Sequence, residues 1–165
     1  MIQEYKYSQM EKVIFGTGSL DTLPKEIDRL GKRRAFILTG RTLATKTELV
    51  RQVEDLLESR WAGTYSGCKQ HVPSQTVNEA VVLAREARAD LLISFGGGSP
   101  IDTTKIVASR LLGHQSQDML PQIAISTTLS AGEFTMFAGI TDEKTRVKSV
   151  IVDPLIVPRV VILDP

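Results

Sequence analysis

The sequence predicts an α/β fold, an open and mostly parallel β-sheet with helices on both faces, completed by a β-hairpin towards the C-terminus. Three observations carry this prediction. Short β-branched runs alternate with stretches whose apolar residues recur at helical spacing, and Gly, Pro or Thr marks the joints. From residue 133 onwards two such runs stand around a short charged turn instead of a helix. Finally, 165 residues with 42% hydrophobic and 24% charged content suit one globular domain that buries its own core. Crossover helices between successive strands give a parallel sheet, because each helix must bury its apolar stripe against one face of it.

Lys12, Val13, Ile14 and Phe15 read as the first strand, and Leu20, Leu23, Ile27 and Leu30 then share a helical face that stops at Gly31. Residues 34–39 form a buried strand. Thr45 is placed to cap a helix whose stripe is Leu49, Val53, Leu56 and Leu57, and residues 61–66 return as a strand. A third helix carries Val77, Ala80, Val81, Ala84 and Ala87 into the strand at residues 91–95. After Ser99 a fourth helix presents Ile101, Lys105, Ala108, Leu111 and Leu112, and residues 122–126 follow as a strand. Residues 133–140 and 146–152 make the hairpin around the turn 141–145. Residues 160–163, between Pro158 and Pro165, are a last short strand. With no internal repeat, low-complexity tract or long linker, residues 1–165 read as a single domain.

Composition removes several function classes. Twenty Lys and Arg against nineteen Asp and Glu leave a formal net charge of +1, so no overall field favours a nucleic-acid backbone or an anionic membrane. The longest apolar runs, such as residues 160–163 and 91–95, fall far short of the roughly 20 residues that a membrane helix needs. Residues 1–10 lack the apolar centre of a secretory signal. Cys68 is the single cysteine, which rules out an internal disulfide and makes a reducing, cytoplasmic setting the expectation.

The strongest chemical signal is Phe95-Gly96-Gly97-Gly98-Ser99-Pro100-Ile101-Asp102, at a strand-to-helix joint. Three glycines permit φ > 0 and leave no Cβ in the way of a ligand approaching the backbone. Ser99 is expected as the N-cap, Pro100 as the first helical residue and Asp102 as the third. The free N–H groups of that helix start, with the dipole behind them, favour a pyrophosphate. A plain glycine turn is the alternative, costly in backbone entropy for three successive glycines. Gly16-Thr17-Gly18 also joins a strand to a helix, but Asp21 stands where a dinucleotide fingerprint needs its third glycine, so this is a turn. Residues 126–132, Ser-Thr-Thr-Leu-Ser-Ala-Gly, end the next strand. Either they form an ordinary Ser/Thr-rich loop, or their hydroxyls emerge on the same carboxyl edge as the glycine run.

These residues together resemble the iron-containing (group III) alcohol dehydrogenases, and more closely their maleylacetate reductase branch. The likeness runs through Val13 to Leu20, His71-Val72-Pro73-Ser74-Gln75, the glycine run with Lys105, Ile125-Ser126-Thr127-Thr128, Glu133-Phe134-Thr135 and Pro158 to Pro165. The ordered set is specific, whereas each piece alone is not. The short spacing from Thr128 to Glu133 and the His71-Val72-Pro73 segment favour the maleylacetate reductase branch. Dehydroquinate synthases share the fold and a glycine loop, but Lys105 stands where they usually carry glycine. The resemblance implies a Rossmann-like dinucleotide-binding domain over residues 1–165. It also implies an oxidoreductase that moves hydride between NADP or NAD and a small alcohol or carbonyl substrate. The helical, metal-bearing domain of the family is absent from this chain, so turnover by the chain alone is not expected. A stand-alone nucleotide-binding or interaction module is the competing reading.

Position by position, the resemblance makes Gly97, Gly98 and Ser99 the pyrophosphate cradle and Asp102 the acid beside the nicotinamide end. Thr127 and Thr128 match threonines beside the adenosine part, with Ser130 in the same loop, and Gly139 and Lys148 match hairpin positions that reach a ribose. Lys148 has a solvated strand lysine as its alternative. Lys105 and Asp102 share a helical face and form an intrahelical pair in the alternative reading. After Thr39, where NAD-dependent relatives often place an aspartate, this chain has Gly40 and Arg41. That change removes repulsion towards a 2′-phosphate and leans towards NADP(H), with a solvated Arg41 as the alternative.

No metal site is assigned within the chain. His71 and His114 are far apart in sequence and one cysteine cannot complete a zinc site; the resemblance implies that any iron or zinc belongs to the family's helical domain. Cys68 reads as a buried, inert thiol, and His71 and His114 as solvated residues, with an approach to substrate beside the crevice as the alternative that the resemblance offers for His71. The apolar residues around Phe134, Met136, Phe137 and Ile151 are expected to stay uncovered at the crevice, facing the family's second domain or a second copy in a homo-oligomer.

Overall fold

A computed structural model describes residues 9–112 and 119–165. The main sheet has six strands in the order β1-β8-β5-β4-β2-β3, every neighbouring pair parallel. In chain order these are β1 (Lys12–Phe15), β2 (Ala35–Gly40), β3 (Trp61–Cys68), β4 (Leu91–Gly96), β5 (Gln122–Ser126) and, after the hairpin strands β6 (Phe137–Asp142) and β7 (Val147–Val152), β8 (Val160–Leu163). The helices are α1 (Leu23–Arg29), α2 (Arg41–Lys46), α3 (Leu49–Leu57), α4 (Ser74–Glu86) and α5 (Gly98–Leu111).

The pleat of β2 explains how one strand serves two cores. Phe36 and Leu38 point into a cluster with Val77, Ala80 and Ala84 of α4 and Ile106, Val107 and Leu111 of α5. Ala35 and Ile37 point the other way, to Leu23 and Ile27 of α1 and Val50, Val53 and Leu57 of α3. Helices therefore cover both faces, and β4 and β5 are buried along their whole length. The predicted parallel sheet, its strands and the added hairpin are all present.

Three local readings are corrected. The helix expected from Leu20 to Leu30 is split into a 3₁₀ turn, Ser19–Thr22, and α1, which carries Pro24 in its first turn. Thr45 caps nothing: it lies within α2, donating to the Arg41 carbonyl at 2.9 Å, and the extended Thr47 separates α2 from α3. The strand expected from residue 133 begins only at Phe137, because Ala131 at φ 58° turns the chain into a 3₁₀ turn over Gly132–Phe134. β6 and β7 pair antiparallel as a separate ribbon, with Ala138 opposite Ile151, and Ala138, Ile140 and Ile151 pack against the α4–α5 cluster. The hairpin thus sits on α5, beside the carboxyl edge of the sheet.

Candidate functional site

β2 and β4 lie side by side, but β2 leads on to β3 at one side and β4 to β5 at the other. In an open sheet a crevice forms at the carboxyl ends of such a diverging pair. β4 ends at Gly96, whose φ of +141° favours glycine, and a Cβ there would stand 2.9 Å from Pro100 Cγ. α5 starts at Gly98 with Gly97 as its N-cap at φ −88°. Ser99 is therefore not the cap but the second helical residue, and among the three glycines only Gly96 has positive φ.

Gly97 is bare for a different reason. A Cβ on Gly97 would meet Thr128 Oγ1 at 2.9 Å, and one on Gly98 would stand 3.4 Å from Ser130 Cβ. Thr127 N–H donates to the Gly96 carbonyl at 3.0 Å. The glycine run and the loop 127–130 thus pack as one unit. Among the described residues no side chain caps α5, and with Pro100 lacking an N–H and Ile101 bonded to the Gly97 carbonyl, the Gly98 and Ser99 N–H groups stay free, with the dipole behind them. Gly97, Gly98, Ser99, Thr127 and Thr128 form one wall of a crevice of about 400 Å³, within the usual range for cofactor pockets.

Gly40 faces them from the end of β2, with Thr42, Thr47, Cys68 and Gln70 on the same side. Arg41 stands exposed at the start of α2, outside the lining. Residues 41–46 are helical, and that turns Thr42 rather than Arg41 towards the crevice. Thr42, Thr47 and Gln70 escaped the sequence reading. Leu43 and Ala44 pack on the core, but as adjacent residues they carry no helical periodicity that would have signalled the helix. Burial pushes the Cys68 thiol up to about 12, in keeping with an inert residue.

A second cluster forms where the hairpin meets α5. Asp102 Oδ2 accepts the Gly139 N–H at 3.1 Å, and Lys148 lies so close over Gly139 that a Cβ there would stand 2.8 Å from its Cε. Burial raises the Asp102 pKa, against the Gly139 N–H and the charges of Lys105 and Lys148. The structure therefore brings Asp102, Gly139 and Lys148 together. It does not hydrogen-bond Lys105 to Asp102, because the Lys105 ammonium turns to backbone carbonyls instead. His71 is exposed at φ 62°, and its carbonyl accepts from Thr141 Oγ1 at 2.7 Å, tying its loop to the hairpin. His114 lies outside the described residues. Among the described residues no cluster of three or more His, Cys, Asp or Glu is placed to hold a metal ion, and no helix is long and apolar enough to cross a membrane. Phe15, Phe134, Met136 and Phe137 are exposed along this edge.

The arrangement has counterparts in known proteins. The chain is 39% identical over 154 residues to the maleylacetate reductase of Pseudomonas knackmussii, which spans 93% of this chain and 40% of that relative. Among solved structures, maleylacetate reductase from Agrobacterium tumefaciens superposes with a TM-score of 0.84 at 31% identity, over 99% of this chain and 43% of that one. NADH-dependent butanol dehydrogenase A from Thermotoga maritima does so with a TM-score of 0.88 at 27% identity, over 99% and 44%. The chain thus spans about 40% of the length of the curated relatives it matches. The model of one family, described as iron-containing alcohol dehydrogenase, covers residues 10–165, and with it the crevice, the glycine run and the hairpin: this chain belongs to the iron-containing alcohol dehydrogenase family.

Proposed function

We propose that residues 1–165 are the nicotinamide-dinucleotide-binding part of an oxidoreductase of the maleylacetate reductase type, working in a cytoplasmic setting. The observation that carries this reading is the uncapped first turn of α5, opening onto the crevice between β2 and β4. The residues fit such a cofactor: Gly97 and Gly98 present backbone without a side chain, and Gly40 leaves open space where a Cβ would meet only the Cys68 carbonyl, at 3.7 Å. Gly97, Gly98 and Ser99 hold the pyrophosphate by N–H donation. Thr127, Thr128 and Ser130 flank the adenosine part, and Asp102, Gly139 and Lys148 meet the ribose at the nicotinamide end.

Bound there, the dinucleotide supplies the hydride for an alcohol–carbonyl interconversion. The described residues do not form a metal site, and no step is assigned to a metal in this chain. Gly40 in place of a carboxylate permits a 2′-phosphate, so NADP(H) is preferred over NAD(H). Titration of the ¹⁵N-labelled chain with NADPH and NADH tests the reading. Saturable shifts of the Gly98 and Ser99 amides are expected. Binding that leaves these amides unmoved, or no binding of either cofactor, would overturn it.

A further inference from the structure

Lys105, on α5, is fully buried. Its Nζ donates to the carbonyl oxygens of Gly132 at 2.6 Å, Thr135 at 2.6 Å and Phe137 at 2.9 Å, with Thr135 Oγ1 at 3.2 Å. An ammonium has three N–H bonds, and three carbonyls of one short segment saturate them. The charged groups that face it are Asp102 on its own helix and Glu133 on the segment itself, while Lys148 reaches Asp102 from the hairpin. Burial pushes the Lys105 pKa down to about 8, against the pull of the two carboxylates, which leaves it charged at neutral pH.

Apart from the buried Glu133 side chain, residues 132–137 have few other anchors to the body of the domain. Phe134, Met136 and Phe137 are exposed, and the backbone bonds are those of a single 3₁₀ turn, Phe134 N–H to Ala131 and Thr135 N–H to Gly132, and those to the hairpin, where Asp153 N–H donates to the Met136 carbonyl at 3.0 Å beside the Phe137–Val152 pair. Just beyond, the Gly139 N–H meets Asp102, one helical turn before Lys105. Two side chains of α5 therefore bracket the segment that leads into the hairpin. An apolar side chain at 105 would strip the Thr135 and Phe137 carbonyls of their ammonium donor, each at a desolvation cost, and leave the Gly132 carbonyl only its donors from Thr135.

We propose that Lys105 is a positioning residue for the dinucleotide site: its ammonium clamps residues 132–137 onto α5 and thereby sets Gly139 and Lys148 against Asp102, without itself touching the cofactor. Its consequence for binding rests on the function proposed above. The clamp itself does not.

Lys105→Met tests it, since methionine nearly keeps the length of the side chain and removes the donors. Amide exchange at Phe134, Thr135 and Gly139 is expected to accelerate about tenfold or more, with Ile93 and Ala124 in the sheet unchanged. The Kd for the nicotinamide dinucleotide should rise about tenfold, while that for ADP, which lacks the hairpin end, should stay within about twofold. Unchanged exchange overturns the clamp. Faster exchange with equal weakening of dinucleotide and ADP overturns the positioning role in favour of general loosening. If the unsubstituted chain binds neither ligand, the proposed function fails and the exchange data alone decide the clamp. Should Lys105→Met not fold, ¹⁵N spectra of the unsubstituted chain decide instead. A Lys105 ammonium resonance in slow exchange with water is expected, and a rapidly exchanging one refutes the clamp.

Discussion

Gly98→Ala separates ligand binding from folding at the crevice. Gly98 is the first residue of α5 and its backbone is not in the positive-φ region, so alanine adopts its conformation without strain. The new methyl would stand 3.4 Å from Ser130 Cβ and 3.6 Å from its Oγ, a close contact that a shift of a few tenths of an ångström relieves. Replacing glycine by alanine in a helix gains about 0.5–1 kcal/mol, less at the first position. Stability is therefore expected to hold or rise slightly. A phosphate bound at this helix start approaches the N–H groups to about 2.9 Å, and a methyl beside them displaces it. Losing one hydrogen bond to a charged group costs about 1.5–3 kcal/mol, or roughly 10- to 150-fold in Kd. Thermal unfolding and calorimetric titration with NADPH read the two quantities separately. An affinity within about twofold at unchanged melting temperature would refute the cradle, because the methyl would then lie off the path of the pyrophosphate. A large drop in melting temperature would refute the packing argument at Ser130.

Gly40→Asp should discriminate against NADPH and spare NADH, since its Cβ meets nothing nearer than the Cys68 carbonyl at 3.7 Å. An unchanged ratio of the two affinities would mean that Gly40 does not face the adenosine ribose. At Glu26, burial opposes ionisation, but hydrogen bonds from Lys12 and Arg29 outweigh it and hold the carboxyl below its usual range. The folded state thus binds this proton less readily than the unfolded chain. Its stabilisation is complete above the unfolded carboxylate pKa of 4.5 and is lost as pH falls through the lower folded value. Glu26→Gln should flatten the acid limb of stability against pH, and an unaltered limb in denaturant titrations would assign acid unfolding to other groups. Phe134, Met136 and Phe137 are 44%, 41% and 47% exposed, so the isolated chain should self-associate with rising concentration, and Phe134→Ser should weaken this in light scattering. A monodisperse monomer at all concentrations would show that this patch is tolerated in water.

What the sequence alone determined was the order of elements and the edge that carries the site. Alternating β-branched runs and helical stripes specify a parallel sheet, since period 2 and period 3.6 are read from neighbouring residues. The run from Phe95 to Asp102 places a helix start at the end of a strand, and Ser126 to Ser130 reach the same edge by parallel connection. Those inferences are local, and the sheet and its hairpin formed as expected. Tertiary structure decided the contacts that depend on how distant loops meet. Gly97 is bare because Thr128 packs on it, a contact no glycine pattern reveals. Arg41 leaves the crevice because residues 41–46 wind into a helix that packs the half-buried Leu43 and Ala44 against the core. Lys105 shares a helical face with Asp102, so sequence spacing suggested an ion pair. Its ammonium instead finds carbonyls 27, 30 and 32 residues further on. Burial is the physical reason: a charge removed from water takes the arrangement that satisfies all its donors, and only the folded chain brings three acceptors to one point.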